Sequence, residues 1–298
     1  MTILLIGMLA IYAAGIVLPL CFPGRPRDQN VVAHGLAAVA GLVGIVLGIA
    51  GLLAPMPLTL SLPSTLPLLT FAIRLDPLAA FFVLTISLAG LAASIYALGY
   101  VTEFYGRTSV AVLGSLFNGF LLSMALVVIA DNGFFFLIVW ELMSLLSYFL
   151  VVTEHEKAEV RYAGFFYLIM THVGTAFIIL AFLIFFQEAG SFSFESFRHP
   201  EQPLPEGMRT LVFLMALIGF GTKAGIVPLH VWLPYAHPAA PSHISALMSG
   251  VMIKTAIYAR TGVLRFPRGA VPLVVGICRA GHRCGLSVVG GDVCAHGA

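Results

Sequence analysis

From Gly133 to Val152 the chain reads GFFFLIVWELMSLLSYFLVV, an unbroken apolar run that contains a single charge. A helix of about 20 such residues crosses the hydrocarbon of a bilayer, whereas the strands of a transmembrane barrel are shorter and alternate. Eight stretches of this kind lie near residues 2–20, 33–53, 77–99, 110–130, 133–153, 161–187, 209–236 and 242–264, the seventh of them interrupted. With 60% hydrophobic and 9% charged residues and a mean hydropathy of +1.02, the 298-residue chain cannot cover a water-facing surface. Soluble enzymes, nucleic-acid binders and disordered chains are excluded, and a net charge of +2 gives no reason to expect a nucleic-acid partner. The predicted fold is all-α: a polytopic transmembrane helical bundle of about eight spans in the lipid bilayer, including one broken helix.

The first stretch lacks a basic start and is followed by the charged turn CFPGRPRDQN and another span, so it is read as a retained helix and not as a signal peptide. Residues 54–75, with Pro55, Pro57, Pro63 and Pro67, are predicted to form a loop on the membrane surface. Residues 188–208 are predicted to form a second long polar loop. Loops one, three and five hold Arg25, Arg27, Arg107, Lys157 and Arg161, against Arg74, Arg198 and Arg209 opposite. That bias places the first group in the cytoplasm and the N-terminus outside. Cys278, Cys284 and Cys294, with His282 and His296 nearby, match no usual zinc spacing, so no metal is expected. There is no dinucleotide fingerprint, cluster-binding cysteine set or haem motif, and no cofactor is expected.

The informative residues are the ionisable ones inside the spans. Lys254 lies twelve residues from Ser242, roughly 18 Å along a helix, beyond what a lysine stem can snorkel on that side. Glu141 lies eight residues, roughly 12 Å, inside its span, with Ser144 and Tyr148 spaced to share its face and hydrogen-bond it or hold water. Lys223 precedes GFGTKAGIVPLHVWLPYAHPAAPSH, in which Gly225, Pro228, Pro234, Pro238 and Pro241 forbid one continuous helix. A broken helix at membrane depth survives only where protein or a water-filled cavity satisfies the freed backbone. His230, His237 and His243 surround that break, and histidine suits proton transfer near neutral pH. A mid-membrane charge costs about 3 kcal/mol, so Glu141, Lys223 and Lys254 are read as functional, the rival being a static ion-pair staple between helices. His172 is read as a packing residue, Asp76, Glu103 and Asp131 as boundary residues, and the phenylalanine runs as packing or lipid-facing surface.

Four segments carry a resemblance: WELMSLLSYFLVVTEHEK, YLIMTHVGTAF, LDPLAAFF and GFGTKAGIVPLHVWLPYAHPAAPSHISALMSGVMIKTAIY. Across residues 1–264 the chain resembles the antiporter-like membrane subunits. These are shared by respiratory NADH:quinone oxidoreductase (complex I), Mrp-type cation/proton antiporters and membrane-bound hydrogenases. The wording around HVWLPYAHPAAPSHISALMSGVMIKT is similar to the hydrogenase-4 and formate hydrogenlyase branch. The resemblance implies that Glu141 pairs with Lys223 on the broken seventh helix, and that Lys254 passes protons onward with His243 and His237 between them. It also implies two inverted five-helix repeats, of which residues 111–264, spans four to eight, would be the first, preceded by three N-terminal helices in residues 1–110. Residues 265–298 depart from the family pattern and are expected to be an atypical tail, the mark of a truncated or frame-shifted product.

The function expected on these grounds is proton translocation by an integral, non-redox subunit of an oxidoreductase complex in the bacterial inner membrane. The complex would be of the hydrogenase-4/formate hydrogenlyase or NADH:quinone oxidoreductase type, coupling electron transfer to proton movement. Its partners would be other membrane subunits and the iron–sulfur, hydrogenase or quinone-oxidoreductase subunits, and its cargo protons or sodium ions. The rival readings are an Mrp-type cation/proton antiporter subunit and a non-conducting membrane anchor for a hydrogenase. The anchor alone predicts indifference to loss of Glu141 or Lys223.

Overall fold

The computed structural model describes residues 1–63, 69–198 and 205–258; the atypical tail expected from Arg265 lies outside the described residues. α1 (Thr2–Val17), α2 (Pro26–Leu53), α3 (Pro77–Tyr100), α4 (Val110–Ile129), α5 (Gly133–Val151) and α6 (Ala158–Ala189) are the first six membrane-spanning helices. After the one-turn α7 (Phe194–Arg198), the seventh span is α8 (Glu206–Ala224) followed by α9 (Leu233–Ala239). Seven helices among the described residues are thus long and apolar enough to cross a membrane. The eighth predicted stretch starts as α10 (Ser242–Leu247), passes through a π turn at Met248–Met252 and continues as α11 (Ile253–Tyr258), where the described residues end. The molecule is a polytopic helical membrane protein.

Local chemistry sets the helix starts. Pro26 and Pro77 occupy first-turn positions, where a missing N–H costs nothing. Asp76, Ser109 and Asn132 cap the next helices by accepting from the backbone N–H groups of Ala79, Val112 and Phe135. Asp76 is therefore the boundary residue that the sequence implied. α4 is the central helix, with 72% of its apolar window buried, while the outer helices present Ile3, Leu53, Ile95 and Phe165 outward, as lipid contact requires.

The segment 54–75 differs from the predicted loop. Leu58–Pro63 (β1) and Thr70–Leu75 (β2) pair antiparallel from Leu58 opposite Leu75 to Pro63 opposite Thr70. The hairpin is anchored to the α4–α5 junction, where Asp131 N–H donates to the Ala72 carbonyl at 2.9 Å, and that junction is tied to the connection before α7 by Gly133 N–H donating to the Phe192 carbonyl at 2.7 Å. Arg74 reaches Glu195 on α7 at 3.4 Å. The second predicted loop likewise contains α7, whose Phe194 and Phe197 stack into the aromatic core with Phe182. One end of the bundle is thereby closed by the hairpin, the α4–α5 junction and α7. The other end carries the connections at residues 18–25, 101–109 and 152–157.

Candidate functional site

The broken span positions the central lysine. α8 stops at Gly225, whose φ of +74° is the left-handed conformation that ends a helix and that side chains with a Cβ rarely adopt. The freed carbonyls are satisfied: Ile226 N–H donates to Gly221, and the buried Trp232 Nε1–H donates to Thr222 at 2.8 Å. The break therefore leaves the last turn of α8 intact, and Lys223 sits in it, 2% exposed.

Lys223 Nζ donates to Ser144 Oγ at 2.9 Å and to Tyr167 OH at 3.0 Å. It lies 5.8 Å from the Trp140 ring and 5.3 Å from the Tyr167 ring, a cation–π setting in a dry interior. The Tyr167 hydroxyl is 2.6 Å from Ser147 Oγ, which donates to the Met143 carbonyl, while Ser144 donates to Trp140. The lysine is thus joined through the Tyr167 and Ser147 hydroxyls to the α5 backbone. Trp232 packs on Tyr167 at 4.9 Å and on His237 at 6.3 Å, linking the lysine pocket to α9.

Glu141 and Lys223 share this region but make no direct ion pair, in contrast to what the resemblance implies. Glu141 Oε2 meets His172 Nε2 at 3.3 Å. The reason is angular: three helix residues turn 300°, so Ser144 points inward at Lys223 while Glu141 points about 60° aside, toward α6. Ser144 is accordingly a lysine ligand and not a glutamate ligand. His172 is half exposed and paired, which corrects its reading as a packing residue. Its Nδ1 contacts the Leu168 carbonyl at 2.9 Å and so carries a hydrogen, leaving Nε2 facing the carboxylate. Glu141 borders an apolar cavity of about 640 Å³ between α5 and α6.

The other residues singled out by sequence divide between two places. His237 Nδ1 is 3.2 Å from Ser245 Oγ on α10. Lys254 is exposed on α11 and donates to the Ser249 carbonyl, inside the π turn. A π turn leaves its carbonyls loosely held, and such turns cluster at functional positions. His243 is buried elsewhere, against His34, Tyr100 and Phe117. His230 lies in the 3-10 turn of the break, with its Nδ1 making no hydrogen bond among the described residues. Tyr167, Ser147, His34 and the π turn were not singled out by sequence. Tyr167 lies within a recognised segment, four residues after Ala163 and seven before Gly174 on the inner face of α6, and that spacing is the signal.

The family described as NADH:quinone oxidoreductase/Mrp antiporter, TM, matches residues 130–271. Hydrogenase-4 component B of Escherichia coli (strain K12) is 43% identical over 234 residues, 77% of this chain and 34% of that protein. Formate hydrogenlyase subunit 3 of the same organism is 27% identical over 226 residues, 76% of this chain and 35% of that protein. The chain therefore spans about a third of the length of the curated relatives it matches. In fold, it is similar to a chain of an archaeal respiratory membrane complex, the membrane-bound sulfane sulfur reductase. The TM-score is 0.78 at 16% identity, over 93% of this chain and 56% of that one. Residues 130–271 thus carry the transmembrane domain described as NADH:quinone oxidoreductase/Mrp antiporter, within a chain similar to hydrogenase-4 component B.

Proposed function

We propose that this chain carries protons across the inner membrane of a bacterium as part of a hydrogenase-4 or formate hydrogenlyase type complex, with Lys223 as the central proton carrier. The redox chemistry belongs to partner subunits. The observation that carries the reading is a lysine ammonium, 2% exposed, held by two hydroxyls beside a helix break. A buried ammonium without a carboxylate in contact is costly as a mere staple, and well placed to give up its proton. Glu141, one turn from the lysine ligand Ser144 on α5 and held by His172 at 3.3 Å, is the neighbouring carboxylate whose charge steers the proton carried by Lys223. Tyr167 and Ser147 extend the lysine's hydrogen bonds, and Trp232 connects the pocket to His237. Loops one, three and five face the cytoplasm in this reading. The family match also admits an Mrp-type cation/proton exchanger, in which the same residues would be driven by ion gradients.

The test is proton uptake by the reconstituted complex that contains this chain. Glu141→Gln retains shape and removes a through-space charge worth on the order of 1–2 kcal/mol, so uptake should fall about tenfold. Asp131→Asn, at the α4–α5 junction, should change it less than about twofold. Equal defects would sink the reading, because they would mean that depth in the bundle does not matter.

A milder variant examines the hydroxyl chain. Tyr167→Phe keeps the ring under Lys223 and removes one hydrogen bond, a loss of about 1–2 kcal/mol. Uptake is expected to slow several-fold while the complex still assembles. An unchanged rate would place the proton route elsewhere.

A further inference from the structure

The Lys223 network leaves a second buried polar cluster unused. His34 is fully buried on α2, two turns in from Pro26, and His243 is 1% exposed at the start of α10. Their ring centroids are 5.8 Å apart at 79°, edge to face. Phe117 flanks both rings at 5.0 and 5.4 Å, and Tyr100 lies 5.5 Å from His243. Burying two imidazoles in a membrane domain is unfavourable unless their polar atoms are used.

Hydrogen bonding fixes which nitrogen is available. His34 Nδ1 is 3.1 Å from the Asn30 carbonyl, which can only accept, so Nδ1 carries the hydrogen and Nε2 is the basic nitrogen. Among the described residues, His34 Nε2 has no hydrogen-bond partner, and neither ring nitrogen of His243 has one. The Asn118 side-chain oxygen is in the same condition, while its amide donates to the Ala33 carbonyl beside His34. Unpaired polar atoms in one place mark a site built for water or protons. A cavity of about 450 Å³ between α3 and α10 has mostly apolar walls, alanines and Leu247, but reaches Tyr96, Ser242 and His243. Toward the connection at residues 101–109, Asn30 donates to the Leu98 carbonyl and to Tyr105 OH.

We infer that His34 and His243 form a hydrated two-histidine proton relay, in which His34 is a proton-carrying residue at the end of the bundle bearing loops one and three. Water delivers a proton to His34 Nε2, forming an imidazolium that keeps its Nδ1 hydrogen on Asn30. The same Nε2 proton then leaves through a bridging water to a ring nitrogen of His243, and His34 returns to its starting tautomer. One proton enters, one leaves and no electron moves. Ser245, two residues beyond His243, contacts His237 and so continues toward the lysine pocket. The inference rests on the translocation reading above.

Two measurements test it. Water-edited solid-state NMR of the histidine-labelled protein in bilayers needs neither a variant nor transport. It should show His34 as the Nδ1–H tautomer, with polarisation passing from water to the ring nitrogens of both residues. Absence of water transfer to both rings would overturn the relay, whatever the complex pumps. In proteoliposomes of the whole complex, His34→Phe and His34→Gln should each lower proton uptake roughly tenfold with assembly retained. Uptake at the parental rate in His34→Phe, which preserves ring packing, would reduce His34 to a packing residue and leave the proposed function standing. A parental complex that moves no more protons than its Lys223→Met variant would defeat the proposed function itself, and the relay with it. The NMR result stands even where a variant fails to assemble.

Discussion

Lys223→Met is expected to abolish proton uptake while leaving the complex assembled and its thermal unfolding temperature equal to or above that of the parent. The two halves of this expectation come from the same physics. Inside the bundle the ammonium has lost its hydration shell and has two hydroxyls and two aromatic faces in return. A methionine of similar length fills the same volume, removes a desolvation cost of about 3 kcal/mol and leaves Ser144 and Tyr167 bonded to Trp140 and Ser147. Stability should therefore be maintained, and the proton carrier is gone. A static staple behaves in the opposite way: replacing it would loosen α5, α6 and α8 and leave transport by any remaining route. Uptake assays and melting curves on the same preparation separate the two outcomes. Parental uptake in Lys223→Met would exclude the lysine from the proton route. Lys223→Arg is a useful companion, because its charge does not titrate in this range and it should be equally inactive.

The spans were legible because bilayer thickness acts on composition alone: a run such as GFFFLIVWELMSLLSYFLVV has few other ways to satisfy its backbone. The break after Lys223 was equally legible, since Gly225 and the following prolines cannot continue a helix. The hairpin was not, although LTLSL and TFAIRL alternate apolar and polar residues. Pro55, Pro57, Pro63 and Pro67 point to a loop, yet Pro63 falls at the end of β1, where a strand tolerates it. The roles of Ser144 and Tyr167 escaped because sequence spacing gives a face but not the neighbour that the face meets. Glu141 and Ser144 are close on the α5 surface, and only the docking of α6 and α8 assigns one to His172 and the other to Lys223. His34 was hidden for the same reason: its partner His243 lies 209 positions away. The π turn adds one extra residue per turn over Met248–Met252 and leaves no signature in hydropathy.

The geometry of the lysine pocket depends on how closely α6 and α8 approach, and that approach depends on two residues without side chains. A Cβ placed on Gly219 would lie 2.7 Å from the Gly174 carbonyl oxygen and against Ile178. One placed on Gly174 would lie 3.1 Å from the Gly219 carbonyl and from Thr222. Each backbone thus occupies the space that the other's side chain would need, the close packing typical of small residues between membrane helices. Lys223 follows Gly219 by one turn, and Tyr167 precedes Gly174 by two, so spreading the helices pulls the ammonium away from its 3.0 Å partner. Gly219→Val should cost about 3 kcal/mol or more, because the obstruction is main chain and cannot rotate away. The expected result is a large fall in the folded fraction recovered in mild detergent, and loss of uptake in whatever assembles. A Cβ placed on Gly207, on the same helix, would meet no atom within 4 Å. Gly207→Ala should therefore be neutral or stabilising by about 0.5–1 kcal/mol, from helix propensity alone. Equal recovery of the Gly219→Val and Gly207→Ala proteins would show that the α6–α8 contact does not hold the pocket together.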